Sequence, residues 1–280
     1  MWSTSIWVAR AINSNVGVAR HAAARSALRP SAADFNDFDR AAADVLATLR
    51  TQRRAFEQVH GVLYIDYLQH AIGDLRASGT ALYHRERADR ATAFTEEARD
   101  RNQWNERDAR MADNLRWLIQ ERYAGRKVIV WAHNAHVMKS YFASNWAGVY
   151  TTLPRDGLKP AGAWTAEWLK DGLYSIALTT FEGEENWTNF QMHGAIAPAP
   201  EGSLEWRLHQ LGMPQLFLDL RPAARDRGQP LHTPLSLRVS GYGKPTSDYG
   251  HDVLPDVTKA FDAILFIDHM TPATPLQARP

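Results

Sequence analysis

The 280-residue chain contains no cysteine. Disulfides, thiolate nucleophiles and cysteine-ligated zinc are therefore excluded. It also lacks any excess of one charge: 32 Lys and Arg stand against 31 Asp and Glu, a formal net charge of +1. Such a balance gives no argument for a nucleic-acid partner or an anionic membrane surface. No apolar run reaches membrane-spanning length. Met1 to Asn15 carries no basic leader ahead of its few apolar residues, so the reading places the protein in the cytoplasm. Several catalytic motifs are missing as well. There is no Gly-x-Ser-x-Gly elbow, no Walker loop and no Gly-x-Gly-x-x-Gly. Gly241-Tyr-Gly243 is followed by Lys-Pro, and proline interrupts what a nucleotide loop would continue as a helix.

What is present is an ordinary globular composition, 45% hydrophobic and 22% charged, enough to bury a sizeable core. Up to about residue 101 the chain reads as helical. Phe38, Ala41, Ala42, Val45, Leu46 and Leu49 recur at helix spacing between Asp37 and Arg54. Further helices are predicted over Gly61 to Arg76 and Arg85 to Arg101, with Gly73 and Gly79 weakening the former. From residue 102 the pattern alternates. A strong helix from Asn105 to Tyr123 stops at Gly125 and is followed by Lys127-Val-Ile-Val-Trp131, which reads as a strand buried on both faces. Other predicted strands are Leu173 to Phe181, Gln215 to Leu220 and Ala263 to Asp268. Helices at Trp164 to Lys170, Ser203 to Leu211 and Val257 to Phe261 separate them. Ala195 to Gly202 and Gly228 to Pro255 read as long loops. This alternation predicts an α/β domain with a mainly parallel sheet over 102–280, preceded by a helical region over 1–101.

The sharpest local feature is Trp131-Ala-His133-Asn134-Ala-His136, just past the best predicted strand. Ligands of open parallel sheets bind at the carboxyl ends of strands. A helix beginning here would put His133 and His136 on one side. An imidazole can carry a proton near neutral pH, and an amide or neutral imidazole can donate to a developing oxyanion. The same letters fit a blander reading, one histidine capping the strand end and the other on the surface. They also fit two ligands of a metal-dependent hydrolase. Catalytic zinc needs a third protein ligand, however, and His-Glu-x-x-His is absent, while Glu182, Glu184, His193 and His251 are unremarkable candidates. On the preceding helix, Arg107, Met111, Asn114 and Leu118 share a stripe. A guanidinium there needs a carboxylate or a ligand oxygen; Asp108 is one candidate partner.

Arg107-Asp108-Ala-Arg-Met111-Ala-Asp-Asn114-Leu-Arg-Trp117-Leu, followed by Lys127-Val-Ile-Val-Trp131-Ala-His133-Asn134-Ala-His136-Val137, closely resembles the erythromycin esterase family. Weaker matches follow in order at Pro198 to Glu205, Phe217 to Arg221 and Phe261 to Asp268 leading into Thr271-Pro272. The resemblance implies a three-layer α/β fold with a helical insertion. It also implies hydrolysis of a small-molecule ester such as a macrolide lactone by a His-assisted water, with no cofactor and no metal, and hence a link to macrolide resistance. His133 and His136 match histidines of that site. Arg107 matches an arginine bordering the pocket, and Asn134 and Asn114 are carried over as substrate-side residues, Asn134 holding the corner. The family's first motif, Gly-Glu-x-x-His-Gly, has no convincing copy. Glu57-Gln-Val-His60-Gly61 has Phe56 where the leading glycine belongs, and His60 is expected at a helix end. The chain thus reads as a truncated family domain with impaired hydrolysis, the alternative being an inactive remnant or small-molecule binding module.

Overall fold

The structure, a computed structural model, describes residues 32–91, 96–140, 158–187, 192–226, 228–239 and 251–272. The chain divides into two compact units, Met1–Val130 and Trp131–Pro280.

In the first unit the described elements are all helices: α1 (Ala32–Thr51), α2 (Arg53–His60), α3 (Val62–Ala91) and α4 (Glu96–Trp117), the last running through residues 101–102 and widening into a π turn at Leu118–Arg122. The apolar stripe of α1 is used selectively. Ala42, Leu46 and Leu49 are buried, whereas Val45 stays 45% exposed. Glycine does not break α3. At Gly79 a Cβ would sit 2.5 Å from Cε1 of Phe38, so the missing side chain is what lets the α1 ring pack on α3. Arg76 binds Asp39 with two hydrogen bonds, 2.7 and 2.9 Å, and Arg53 binds Asp66 and Glu57 at 2.6 and 2.5 Å. His60 is the last residue of α2 and is exposed, and Glu57 is committed to Arg53. Gly61, at φ +83°, turns the chain into α3.

The Lys127–Trp131 run forms no strand. Ile129 is 88% exposed and Trp131 72%. A β-branched run acquires strand structure from the neighbours it pairs and packs with, and these residues enter no ladder among the described residues.

The second unit contains α5 (Asn134–Val137), α6 (Ala161–Leu169), β1 (Ile176–Trp187), β2 (Met192–Ile196), α7 (Leu204–His209), β3 (Gln215–Asp219), α8 (Arg221–Arg225), β4 (Leu235–Arg238), β5 (His251–Leu254), α9 (Val257–Ala260) and β6 (Ala263–Met270). The α/β class is thus observed, and the sheet is mixed in the order β2-β1-β6-β3. β1 and β6 run parallel, with Ile176 opposite Ala263. β2 and β3 are antiparallel to their neighbours, and β4–β5 form a separate antiparallel pair within the stretch read as a loop. β6 is central because its run Ala-Ile-Leu-Phe-Ile is apolar on both faces. Ile264 and Phe266 are fully buried, alongside Ala177 and the largely buried Thr179 of β1. α7 packs against β1, β4 and β6 on this side, through Leu204 and Leu208. On the opposite face Leu178 and Phe217 remain 38% and 54% exposed. No helix among the described residues is long and apolar enough to cross a membrane.

Candidate active site

The histidine corner belongs to the second unit and is built from its own backbone upward. His133 is extended, at φ −62° and ψ 145°, and caps α5: its Nδ1 accepts the Ala135 N–H at 3.2 Å. One turn on, His136 faces it with ring centroids 6.4 Å apart at 70°. The cap is thus on a helix start rather than a strand end, and His136 is half-buried rather than on the surface.

Asn134 fixes this corner to β1. The β2 ladder begins only at Gly183, leaving the earlier half of β1 without a strand on its other side among the described residues. There the Asn134 amide substitutes for a strand. Its Nδ2 donates to Leu178 O at 2.7 Å, its Oδ1 accepts Leu178 N–H at 3.0 Å, and Nδ2 also reaches Arg238 O of β4 at 3.4 Å. Downstream, Ser175 Oγ donates to Val137 O at 2.7 Å and Lys139 binds Asp262 at 2.6 Å. Met138 is fully buried. Gly162 of α6 completes the packing, because a Cβ there would run into the carbonyl oxygens of Val137 and Met138.

The electrostatics follow from burial. Desolvation, with a smaller repulsion from His136, pushes the His133 imidazole down to about 4. It is neutral at pH 7. With Nδ1 engaged as an acceptor, the proton of the neutral ring is on Nε2. His133 is thus set up as a hydrogen-bond donor rather than a base.

The other predicted residues lie in the helical unit. The Arg107 guanidinium is 4.5 Å from the Trp104 ring centroid, and its Nε donates to buried Asp108 at 3.3 Å. Asn114 joins two residues far away in sequence: Nδ2 donates to Asp74 at 3.1 Å, and Oδ1 lies 2.6 Å from Nε2 of His70. His70 in turn stacks on Trp117 at 4.1 Å. The same unit carries an open groove of about 800 Å³ lined by Asp39, Arg76, Glu106 and Arg110 among others.

Sequence reading missed a group of polar residues buried in the second unit. Glu205, Arg238, Asp252 and His251 are all buried. The Arg238 guanidinium donates to the carbonyls of Thr180, Phe181 and Ala197 at 3.1, 3.2 and 2.7 Å. The sequence signals were slight: Glu205 stood at the end of a weak family match, and His251 was named only as an unremarkable candidate metal ligand. His209 was missed too; its ring stacks on Phe181 at 3.9 Å while Nδ1 meets Asp268 at 2.7 Å. Among the described residues, no group of three His, Asp or Glu side chains is placed to hold a metal ion.

The sequence model of the erythromycin esterase family matches residues 7–270. The chain belongs to the erythromycin esterase family. A relative of it, the putative hydrolase YbfO of Bacillus subtilis strain 168, is 25% identical over 170 residues, 60% of this chain and 35% of that protein. The fold is that of a Bacillus cereus protein of known crystal structure, with TM-score 0.55 and 19% identity over 94% of this chain and 62% of that one. A mutant of the erythromycin esterase EreC in its open conformation gives TM-score 0.51 and 13% identity over 95% and 60%. A succinoglycan biosynthesis protein gives 0.55 and 17% over 87% and 52%. The chain therefore spans about a third of the length of that curated relative and 52–62% of these solved structures.

Proposed function

We propose that the chain supplies the His133–His136 corner of a site that hydrolyses a carboxylic ester or lactone. The observation that carries this reading is the state of His133. Its Nδ1 accepts the Ala135 N–H at 3.2 Å and desolvation holds its ring neutral, which puts the ring proton on Nε2, a donor of the kind that stabilises a developing oxyanion. In the reaction, water adds its hydroxyl to the acyl carbon, the acyl C–O bond breaks, and the departing alkoxide takes a proton. His133 polarises the carbonyl, and His136, one helical turn away, carries the proton. Asn134 serves by fixing the corner. The family name makes a macrolide lactone the first substrate to try, with aryl acetates as general reporters.

Two imidazoles are a reduced set for acyl transfer, so the expected turnover is slow. Purified chain should release acid and alcohol from an aryl acetate above the buffer rate, or open a macrolide ring with a mass gain of one water. H136A should lower that rate by roughly 10²-fold, within the range for loss of a proton-transfer group. Absence of turnover with every ester tried, or turnover unchanged by both H133A and H136A, overturns the proposal. Retention of a macrolide without turnover, lost in the same variants, would assign the corner to ligand binding instead.

A further inference from the structure

Glu205 lies in the first turn of α7, which is capped by Ser203 Oγ accepting the Trp206 N–H at 3.2 Å. Its side chain is fully buried. A buried carboxyl is costly unless its hydrogen-bonding capacity is met. Here it is met on one side: Oε1 accepts Thr179 Oγ1–H at 2.5 Å and Arg238 N–H at 2.8 Å. Oε2 makes no hydrogen bond and lies 3.9 Å from Nδ1 of His251. Arg238 and His251 are the charged or titratable groups facing it, and burial pushes the carboxyl toward its neutral form. An apolar side chain of similar volume would avoid that cost, so stability alone does not explain a glutamate here.

The contacts of Glu205 coincide with those of Asn134. Asn134 holds Leu178 of β1 and the carbonyl of Arg238 in β4. Glu205 holds Thr179, the next residue of β1, and the N–H of the same Arg238. β1 and β4 belong to different sheets and share no ladder, so their separation at this point is bridged by side chains. We propose that Glu205 is a positioning residue for the histidine corner: by tying Thr179 to Arg238 it sets the spacing onto which Asn134 locks, and so holds His133 in its half-buried, capped orientation. The catalytic meaning of this role rests on the function proposed above; the positioning itself does not.

The test reads position and activity separately. In ¹⁵N-labelled protein, the His133 ring is titrated by long-range proton–nitrogen spectra and exchange is followed at the Leu178 amide. His232 serves as internal reference, its ring held by Asp256 and the Ala223 carbonyl. E205A should move the His133 titration upward by about one unit or more and speed Leu178 exchange about tenfold, with His232 signals unchanged. E205Q keeps the Oε1 acceptor and should restore both to the wild-type values. Should E205A unfold the unit, shown by loss of the His232 signals, T179V removes only one of the two ties and should shift His133 in the same direction by less. His133 and Leu178 unmoved in E205A, or in T179V where E205A unfolds, overturns the proposal. With an ester, kcat should fall in E205A and recover in E205Q at little-changed KM. Shifted spectra without ester turnover in wild type would sink the catalytic reading and leave the positioning role standing.

Discussion

The two units spend most of their described polar residues in different ways, buried Asp108 of the helical unit being an exception. In the helical unit, Arg76–Asp39 and Arg53–Asp66 pairs bridge helices at side-chain exposures between 33% and 39%. Among the described residues its apolar interior is thin, with Ala42, Leu46, Leu49, Ile65, Ala112 and Leu118 buried while Val59, Leu63 and Leu75 are more than half exposed. In the sheet unit Phe261, Ile264 and Phe266 are fully buried, and charged groups go inside with them: Glu205 at 0%, Asp252 at 1% and Arg238 at 7% exposed. Ionisable groups are tolerated in a core only with partners, and they contribute little net stability there. Where a unit already has a dense apolar core, buried polar groups mark something other than the need to stay folded. That is the physical reason for seeking the site around β1 and β4.

The largest effect that tests this contrast is F266A. Phe266 is fully buried at the centre of β6, opposite Thr179 of β1 and Leu216 of β3. Truncation should cost about 3–5 kcal/mol by loss of burial and creation of a cavity, read from urea denaturation followed at the sheet unit's tryptophans. A cost below about 1 kcal/mol would show that this core is no better packed than the helical one. Next in size is a pH effect confined to the corner. Because His133 titrates near 4 when folded and near 6.5 when unfolded, the unfolded chain binds the proton first. Its contribution to stability is complete above about pH 6.5 and is lost as pH falls toward 4, on the order of 3 kcal/mol in all. The stability difference between wild type and H133A should shrink across that window and stay constant above it.

Much of this was legible in the sequence, for identifiable reasons. β3 and β6 were found because their apolar runs carry burial in their composition. The His133–His136 geometry followed from a spacing of three. Lys127–Trp131 carries an apolar run as β6 does and forms no strand, because composition states a capacity for pairing and cannot supply the partner. β4 and β5 were hidden in a Pro- and Gly-rich stretch, each only four residues long. The Arg107–Asp108 pair could be suspected from adjacency, whereas the partners of Asn114, His70 and Asp74, lie 44 and 40 positions away. Glu205 was illegible as a buried residue: nothing local in Gly202-Ser203-Leu-Glu205 distinguishes an interior carboxylate from a surface one. Which imidazole nitrogen of His133 is engaged is likewise a property of the folded cap.

A smaller effect sharpens the account of the helical unit. In an exposed helix interior, glycine to alanine stabilises by up to about 1 kcal/mol. At Gly79 the new methyl would meet the Phe38 ring at 2.5 Å, and relieving that contact means moving a ring that packs α1 on α3. G79A is expected to lower stability by about 1 kcal/mol, with overpacking outweighing propensity. G79A combined with F38A should recover the propensity gain relative to F38A alone. An increase in stability in G79A by itself would mean that the ring gives way freely and that this junction is much looser than the sheet core.

The smallest effect belongs to the pair that looks most convincing on inspection. Arg76 donates to both oxygens of Asp39, and this bond holds the aspartate carboxyl below its ordinary range. The linked stability is present above the unfolded aspartate's titration and is lost as pH falls through the depressed folded value. Both side chains, however, stand a third or more exposed, where water competes for the charges and salt screens them. D39N should therefore shift the thermal midpoint only slightly, and the shift should vanish in about 1 M salt, at roughly a 3 Å screening length. The outcome to watch for is the opposite one. If D39N melts the helical unit cooperatively at all salt concentrations, ion pairs rather than the thin stripe of Ala42, Leu46 and Leu49 would be what joins α1 to α3, and the contrast between the units would be one of mechanism and not of core density.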